Sequence, residues 1–451
     1  GCARAKRSAR SVLTQRKSLS CSNADSTCLQ RTRARGARVR AFLPKLQHNM
    51  RDSLPICRDN EHRVGSWVRG ADSAKSFTSC SSGPFEPNTE FPLLRPSWLY
   101  KQETLHGCRC DLRQRRTILD TMAAERRSAS AFSAPRRDAE QFVWRPTHCR
   151  LAEWNAQRFC HALRARRLAF VGDSTIRQVA WTVWSLVRAA NATCADQLWY
   201  ESSDTLVNGC LGYYGRGGSV EQIVQRLVEA GRRPDIVVLS AGAHVYRTRC
   251  DYPAFKGSGC AQGPMRCTHP QADHFKKIVF SQGAVNSHLV ADPAIQRTTF
   301  NFVVDDMLRQ TQRLLAAAAK DGLRPVRFIW KSVSPGHPDC FSHLEHGPHP
   351  FGGYATDAPY NWASFPAFDE AARAASAMSN GTIEYMDVSM LYDRVDGHGG
   401  YSNYSEIQNP SAEIGKADCL HFCTPGPLDE VARVLQQHLL GVEAGHAGVG
   451  E

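Results

Sequence analysis

The sequence predicts an α/β fold in which a parallel sheet is covered by helices on both faces. Short apolar runs of the kind found in buried strands occur at several points after residue 160. Segments with apolar residues at helical spacing lie between and after these runs. Because strands that alternate with helices favour a parallel sheet, we expect ligands to bind beyond the carboxyl ends of the strands.

The elements of this predicted domain follow one another in a regular order. The predicted strands are at 168–171, 235–240, 326–330 and 383–388. The predicted helices are at 156–166, 179–187, 302–320, 368–378 and 428–440. Asp321-Gly322 is a turn signal that ends the third of these helices.

Composition divides the 451 residues into four parts. Residues 1–51 form a basic tail that we predict to be disordered. Residues 52–140 are rich in Ser, Gly, Pro and Arg, and we predict a small cysteine-stapled appendage packed on the main domain. The main domain is predicted at 141–441, followed by a short tail at 442–451.

The net charge of +13 belongs almost wholly to the basic tail, which has 13 Lys and Arg residues against one acidic residue. No regular aromatic interleaving accompanies these charges, so we expect no nucleic-acid partner. The Arg- and Ser-rich composition is shared with organelle transit peptides and fits the cytosolic end of a membrane anchor. Since no run of about 18 apolar residues occurs, we expect any membrane anchor to lie outside this sequence.

The 17 cysteines are scattered, without paired Cys-x-x-Cys spacing. This pattern favours disulfides in an oxidising compartment over a zinc site, but it leaves the connectivity open. An odd number leaves at least one thiol free or paired between chains. Three N-glycosylation sequons, which begin at Asn191, Asn380 and Asn403, agree with a secretory setting.

A candidate nucleophile lies where the strand at 168–171 meets the following helix. Gly172, Asp173 and Ser174 occupy this junction. A serine held there lies at the carboxyl end of the sheet, where the helix dipole favours negative charge. The alternative is a simple turn, because all three residue types are common in turns. The strand-to-helix position, together with a second motif near the other end of the chain, favours a nucleophile.

The second motif supplies a base. Asp418 and His421 are three residues apart, on what we predict to be a loop before the last helix. At this spacing the carboxylate can steady the imidazole, and His421 can take the proton of Ser174 as a general base. The alternative is a surface or core histidine. The flanking Cys419 and Cys423 favour a rigidly held loop, which a catalytic pair requires.

Further residues are candidates for the oxyanion or the substrate. The backbone N–H of Ser174 is the natural oxyanion donor. Arg177 can place its guanidinium on the same side, although a helix-surface arginine is the alternative, and the backbone near Gly242 is a further candidate donor. His244 and His337 follow predicted strands and are candidates for substrate binding, with a structural role as the alternative. We expect neither a metal nor a bound cofactor.

These motifs resemble those of the PC-esterase group in the SGNH/GDSL hydrolase-like superfamily, and more closely the trichome birefringence-like polysaccharide O-acetyltransferases. The resemblance rests on Gly172-Asp173-Ser174 with Arg177 and on Asp418-Cys419-Leu420-His421. Supporting matches are Cys57…Gly65-Ser66-Trp67-Val68, Trp144-Arg145-Pro146…Cys149 and Ser334-Pro335-Gly336-His337. The segment 240–244 departs from the Asn-Thr-Gly-His segment of the family.

The resemblance implies an SGNH-type three-layer α/β/α fold with a small cysteine-containing N-terminal appendage, in the Golgi lumen or secretory pathway. It implies transfer of an acetyl group to polysaccharide hydroxyls through an acetyl-serine, with Ser174 as nucleophile, His421 as base and Asp418 as its partner. The acetyl donor is then a co-substrate, and a polysaccharide or oligosaccharide is the acceptor. Two alternatives stay open: an acetylesterase with the same triad and a non-catalytic polysaccharide-binding protein.

Overall fold

The computed structural model describes residues 54–58, 60–69, 142–203, 206–207, 218–242, 293–337, 340, 347–353, 359–401, 417–422 and 426–446. Apart from residues 54 and 55, all of these belong to one compact unit, Ile56–Glu451. The strands are β1 (Gly65–Arg69), β2 (Phe142–Pro146), β3 (Leu168–Gly172), β4 (Leu198–Ser202), β5 (Ile236–Ser240), β6 (Arg327–Lys331), β7 (Ile383–Met386), β8 (His398–Tyr401) and β9 (Ala417–Phe422). The α-helices are α1 (Ala156–Leu163), α2 (Ser174–Ala189), α3 (Val220–Glu229), α4 (Pro293–Lys320), α5 (Phe365–Met378) and α6 (Pro427–His446).

A five-stranded parallel sheet forms the centre of this unit, in the order β4-β3-β5-β6-β7. The strand β3 is the first of the five in sequence but lies between β4 and β5. Its last residue, Gly172, is level with Ser202 on one side and Ser240 on the other. The strand order therefore reverses at β3, and ligands of open α/β sheets bind at such a switch point.

Helices cover both faces of this sheet. The five residues of β3 are all buried, but they face alternately in two directions. Leu168 and Phe170 pack into a core that includes α1, α2 and α6. Ala169 and Val171 pack into a second core with α3, α4 and α5. The predicted three-layer α/β/α fold is therefore confirmed.

The segments predicted as strands and helices form those elements, with shifted bounds in several cases. The largest extensions are that α4 begins at Pro293 and that α6 runs to His446, into the predicted C-terminal tail. Two elements of the central sheet and its helical layers were not predicted. The strand β4 was not predicted because Glu201 interrupts its apolar run. The carboxylate of Glu201 lies 3.8 Å from the guanidinium of Arg226 on α3. The helix α3 has four buried residues on one face and a capping box at Ser219. Both are local sequence signals from which this helix could have been predicted.

The small sheet of β1 and β2 joins the two regions that composition separates. These strands pair antiparallel, and a disulfide links Cys57 to Cys149 beside them. The indole of Trp67 donates to the carbonyl of Met390 at 2.8 Å. The described part of 52–140 is thus stapled by cysteine and hydrogen-bonded to the main domain, while the boundary at 140/141 stays a prediction.

Two features of the described residues bear on the cellular compartment. Disulfides form between Cys57 and Cys149, Cys160 and Cys194, and Cys340 and Cys419. This confirms the predicted disulfides and indicates an oxidising compartment. Within the described ranges, no helix combines the length and the apolar character needed to cross a bilayer. The predicted tail at 1–51, His244, Cys423 and Asn403 lie outside the described residues.

Candidate active site

The turn between β3 and α2 depends on Gly172. Its φ angle is 152°, and a Cβ built on it would lie 1.8 Å from the carbonyl oxygen of Ser240. Only glycine allows β5 to approach the turn this closely. The turn delivers Ser174 to the first position of α2, at the carboxyl end of β3. Helix N–H groups and the helix dipole there favour negative charge.

Asp173 is a buried carboxylate that assembles this turn. Its Oδ1 accepts from the backbone N–H of Thr175 at 2.9 Å and from the hydroxyl of Thr175 at 2.7 Å. Its Oδ2 accepts from the backbone N–H of Gly242 at 3.2 Å. Asp173 therefore caps α2 and ties it to the end of β5. The N–H of Gly242, a predicted oxyanion donor, is engaged by this carboxylate.

Tyr200 fastens the same turn from the neighbouring strand β4. Its hydroxyl donates toward the carbonyls of Gly172 and Asp173, at 3.1 and 3.3 Å. The ring is buried in the core on the α2 side of the sheet. The position of Ser174 is thus fixed from the two strands that flank β3.

His421 lies opposite this serine. Its Nε2 is 2.7 Å from the Oγ of Ser174, although the two residues are 247 positions apart in sequence. A serine hydroxyl can donate to an imidazole nitrogen at this distance and so lose its proton to it during attack. The structure brings together the two residues on which the nucleophile and base hypothesis depends.

The segment around His421 is a strand, so the predicted loop at 418–421 was wrong. It forms β9, which pairs antiparallel with β8; His398 lies opposite Phe422, and Gly400 lies opposite Asp418. The pairing has a register shift between His398 and Gly400. The side chain of Asp418 is not among those described, and its contact with His421 stays a prediction.

Gln178 connects the nucleophile helix to the strand of the base. It lies one turn after Ser174 on α2 and is buried. Its side-chain amide donates to the carbonyl of Phe422 at 2.9 Å, and its Oε1 accepts from the N–H of Phe422 at 3.1 Å. This double hydrogen bond fixes the distance between α2 and β9 next to the contact between Ser174 and His421.

A pair of buried charges acts on the same turn. Lys331, at the end of β6, donates to the hydroxyl of Ser334 at 3.1 Å, and its charge interacts with Asp369 and Asp173. Burial lowers the pKa of Lys331, against the attraction of these two carboxylates. Burial also raises the pKa of Asp369, although its carboxylate accepts from the N–H of Val333 at 2.7 Å. Lys331 therefore provides positive charge near the cap of α2.

Two other candidate residues have different outcomes. Arg177 lies half-buried in the first turn of α2, and its backbone N–H donates to the carbonyl of Asp173 at 3.2 Å. The role of its guanidinium at the oxyanion stays a prediction. His337 is fully buried, and its ring lies 2.8 Å from the carbonyl of Tyr392. A fully buried ring offers no surface to a polysaccharide, which favours the structural alternative for His337.

Sequence reasoning missed Gln178, Tyr200 and His398, which support the turn or the strand of His421. One signal was available: Gln178 is a polar residue on an apolar helix face, one turn after the candidate nucleophile. Tyr200 and His398 had no comparable signal, because β4 and β8 were not recognised as strands.

The chain also matches a known family. Residues 219–438 match the PC-Esterase family, a GDSL/SGNH-like acyl-esterase family found in Pmr5 and Cas1p. The matched range contains Asp418 and His421 and begins after Ser174. It confirms the family resemblance that the motifs indicated.

Two proteins of Arabidopsis thaliana are similar to this chain. Protein YLS7 is 28% identical over 227 residues, which cover 44% of this chain and 41% of that protein. Xyloglucan O-acetyltransferase 1 is 24% identical over 300 residues, which cover 63% of this chain and 67% of that protein. The chain thus spans less than half the length of YLS7. A solved acetyl xylan esterase, AlAXEase, aligns with 63% of this chain and 100% of its own at 11% identity, but with a TM-score of 0.24.

Proposed function

We propose that this chain, whose residues 219–438 match the PC-Esterase family, is a polysaccharide O-acetyltransferase that works through an acetyl-serine. The observation that carries the proposal is the 2.7 Å contact between Ser174 Oγ and His421 Nε2, at the N-terminus of a helix. The name of one similar protein, a xyloglucan O-acetyltransferase, supports a cell-wall polysaccharide as acceptor.

The first half-reaction loads the serine. Ser174 Oγ attacks the carbonyl carbon of the acetyl donor while its proton passes to His421 Nε2. The negative charge that develops on the carbonyl oxygen is stabilised at the start of α2, with the N–H of Ser174 as the proposed donor. When the tetrahedral species collapses, the leaving group of the donor takes the proton from His421, and acetyl-serine remains.

The second half-reaction discharges the acetyl group. A sugar hydroxyl gives its proton to His421 and attacks the acetyl carbon, and Ser174 regains its hydroxyl as the ester bond breaks. Asp418 is the proposed partner that holds the tautomer of His421 and stabilises the imidazolium. The acetyl donor acts as a co-substrate. A lumen of the secretory pathway, such as that of the Golgi, is the proposed setting, and the three disulfides support it.

Hydrolysis is the second candidate, because the matching family is described as acyl-esterases. A carbohydrate acetylesterase would use the same serine and histidine, with water in place of the sugar hydroxyl in the second half-reaction. The two functions differ only in what discharges the acetyl-serine, so one experiment distinguishes them.

The test is the intact mass of the full chain, purified from a secretory host, after brief exposure to an activated acetyl ester. We expect one acetyl adduct on the wild type, none on Ser174→Ala, and a rate at least about a thousandfold lower for His421→Ala. Ser66→Ala, which changes an exposed serine of β1, is the matched control and should acylate like the wild type.

Xyloglucan oligosaccharides are then added to the acetylated protein. Transfer of the acetyl group to sugar faster than its release in buffer identifies a transferase. Equal rates of acetyl release with and without sugar identify an esterase. Absence of both adduct and ester turnover in the wild type would overturn both functions and leave the polysaccharide-binding alternative.

A further inference from the structure

We propose that His337 and His398 form a buried pair that shares one proton, carries a single positive charge, and positions the strand of His421. Both rings are fully buried, and they bear on the site through the backbone of β9. The effect on catalysis rests on the proposed function, whereas the charge of the pair does not. Because they act through the backbone of β9, His337 and His398 are positioning residues rather than catalytic ones.

Three short contacts link the two rings to each other and to the backbone. His337 Nε2 lies 2.8 Å from the carbonyl oxygen of Tyr392. His398 Nδ1 lies 3.0 Å from the carbonyl oxygen of His421. The remaining nitrogens, His337 Nδ1 and His398 Nε2, face each other at 2.5 Å.

A count of protons gives the charge. A carbonyl oxygen only accepts hydrogen bonds, so His337 Nε2 and His398 Nδ1 must each carry a hydrogen. A neutral imidazole has one N–H, so two neutral rings would already have used both of their hydrogens. The inner nitrogens would then turn two lone pairs toward each other at 2.5 Å. A third proton between them converts this repulsion into a charge-assisted hydrogen bond.

The pair holds the strand β9 along one edge. The backbone N–H of His337 donates to the carbonyl of Cys419 at 2.8 Å, and the ring of His398 binds the carbonyl of His421. The His398 ring also stacks on the ring of Phe422, with 4.1 Å between centroids. In a strand, the N–H and C=O groups of one residue point to one edge, and those of the next residue point to the opposite edge. Gln178 therefore holds β9 at Phe422 from one edge while the histidine pair holds it at residues 419 and 421 from the other.

The pair lies among several other ionisable groups. Arg394 and Asp396 are buried and form an ion pair at 2.7 Å. Asp393 accepts from the N–H of Phe351 at 3.2 Å, and the ring of Phe351 contacts the edge of His337. The titratable and charged groups on the elements packed against the pair are Lys331, His349, Asp393, Arg394, Asp396, Asp418 and His421.

Loss of the shared proton has a structural consequence. Once the pair is neutral, one ring must turn to avoid the facing lone pairs. When that ring is His398, it leaves the carbonyl of His421, and β9 loses one of its supports. The support is present at low pH and is lost as the pH rises through the titration of the pair. We therefore expect the acetyl-transfer rate to decline on the alkaline side for a reason independent of His421 itself.

Nitrogen NMR of the full chain, labelled with ¹⁵N-histidine, tests the charge directly. At about pH 8 ordinary histidines are neutral, since their pKa is about 6.5. We expect an imidazolium signal with both ring nitrogens protonated, present in the wild type and in His161→Asn, an exposed control on α1. It should be absent from His398→Asn and from His337→Asn. A wild-type spectrum that contains only neutral tautomers would overturn the inference without recourse to any variant.

The positioning role is tested by His398→Asn, whose side-chain N–H can still donate to the carbonyl of His421 but which loses the bond to His337 and the stack on Phe422. We expect kcat to fall about tenfold with little change in KM, and the alkaline decline of the wild type to be lost. A merely structural role would reduce the amount of folded protein and leave the pH profile in place, which would contradict positioning.

The outcomes also separate the two proposals. If the wild type forms no acetyl adduct but shows the imidazolium signal, the proposed function fails and the charged pair stands. If the adduct forms while both rings are neutral, the inference fails and the proposed function stands.

Discussion

At the scale of single residues, Asp173 combines two tasks that proteins often divide between side chains. One oxygen caps α2 through Thr175, and the other binds the backbone of Gly242 at the end of β5. The side chain is buried, so water cannot replace a lost hydrogen bond. Ser174 is the next residue in the chain, and its position therefore depends on this carboxylate.

Asp173→Asn should weaken both the fold and the site. An amide has one accepting oxygen, so its NH₂ group must face either Thr175 or Gly242, both of which donate. We expect the free energy of unfolding to fall by about 1–3 kcal/mol and acetyl-serine formation to slow. Urea unfolding followed by circular dichroism measures the first effect, and intact mass after acetyl-ester exposure measures the second.

Asn155→Ala provides the control, because Asn155 caps α1 by accepting from the N–H of Arg158 at 2.8 Å. It should cost about 1 kcal/mol without slowing acylation of the folded protein. An equal loss of acylation in both variants would show that any lost cap disturbs the site, against a specific role for Asp173.

At the scale of elements, the contact between α2 and β9 decides whether serine and histidine meet. Among the described strands, β9 lies outside the central sheet and pairs with β8. Gln178 joins it to α2 through the backbone of Phe422, a residue 244 positions away in sequence. The side chain takes the place of a neighbouring strand, since it both donates to and accepts from one residue of β9.

Gln178→Ala should uncouple these two elements. We expect kcat to fall about tenfold to a hundredfold while the central sheet stays folded, because a small misplacement of the base is costly. Acetylation kinetics and far-ultraviolet circular dichroism measure the two quantities.

Gln437→Ala is the matched control for Gln178→Ala, because Gln437 also bridges two backbone groups. It accepts from the N–H of Ala152 and donates to the carbonyl of Cys57, at 3.3 and 3.1 Å. It should reduce stability and keep the activity of the folded fraction. A comparable loss of kcat in Gln437→Ala would exclude a special role for the contact between α2 and β9.

Three elements meet at Glu384. This residue of β7 pairs with Arg327 on β6 and with His438 on α6, whose Nε2 lies 2.9 Å from Oε2. Burial alone would raise the pKa of Glu384, but the hydrogen bonds from Arg327 and His438 outweigh it and lower the pKa to about 2. The ionised form is therefore tied to the folded state.

Glu384 should contribute to loss of stability in acid. Its stabilising effect is present above the ordinary pKa of 4.5 and is lost as the pH falls toward 2, where the folded form takes up the proton. The full effect is at most about 3 kcal/mol, reduced by partial exposure of the pair. Glu384→Gln should flatten the stability profile in this window, as measured by urea unfolding at successive pH values.

Glu221→Gln is the matched control, because Glu221 pairs with Arg313 at 2.8 Å on the surface. Exposed pairs contribute little, so this change should leave the acid profile as in the wild type. Equal flattening in both variants would refute the role assigned to Glu384.

At the scale of the whole molecule, disulfides connect segments that lie far apart in sequence. Cys57–Cys149 and Cys340–Cys419 close loops of similar size, with separations of 92 and 79 residues. Chain entropy therefore predicts similar stabilisation from both. Of these two disulfides, Cys340–Cys419 is the one that reaches β9, two residues before His421.

Replacing both cysteines of either pair by alanine should lower the free energy of unfolding by about 2–4 kcal/mol. Removal of Cys340–Cys419 should also slow acetyl-serine formation, whereas removal of Cys57–Cys149 should leave the folded protein active. Urea unfolding and acetylation kinetics on both variants make the comparison. If acylation slows equally in both, the bond to β9 has no separate role in the site.

Local patterns in the sequence determined the elements and the junction at Ser174. Apolar runs and helical spacing are properties of neighbouring residues, so they identify strands such as β3 and β5 without knowledge of the partner strands. The turn at 172–174 was visible for the same reason, since its residues directly follow one strand and precede a helix. The pairing of Ser174 with His421 was a hypothesis from two separate motifs.

Only the tertiary structure decided the sheet order, the strand that carries His421 and the residues that support it. The order β4-β3-β5 and the partners of Gln178, Tyr200 and His398 are contacts between distant parts of the chain. No local pattern encodes such a contact, because each side chain's partner is set by how the whole chain packs. The disulfide connectivity could not be predicted for the same reason. The cysteine positions in the sequence left it open, and the fold decides it by bringing Cys340 next to Cys419.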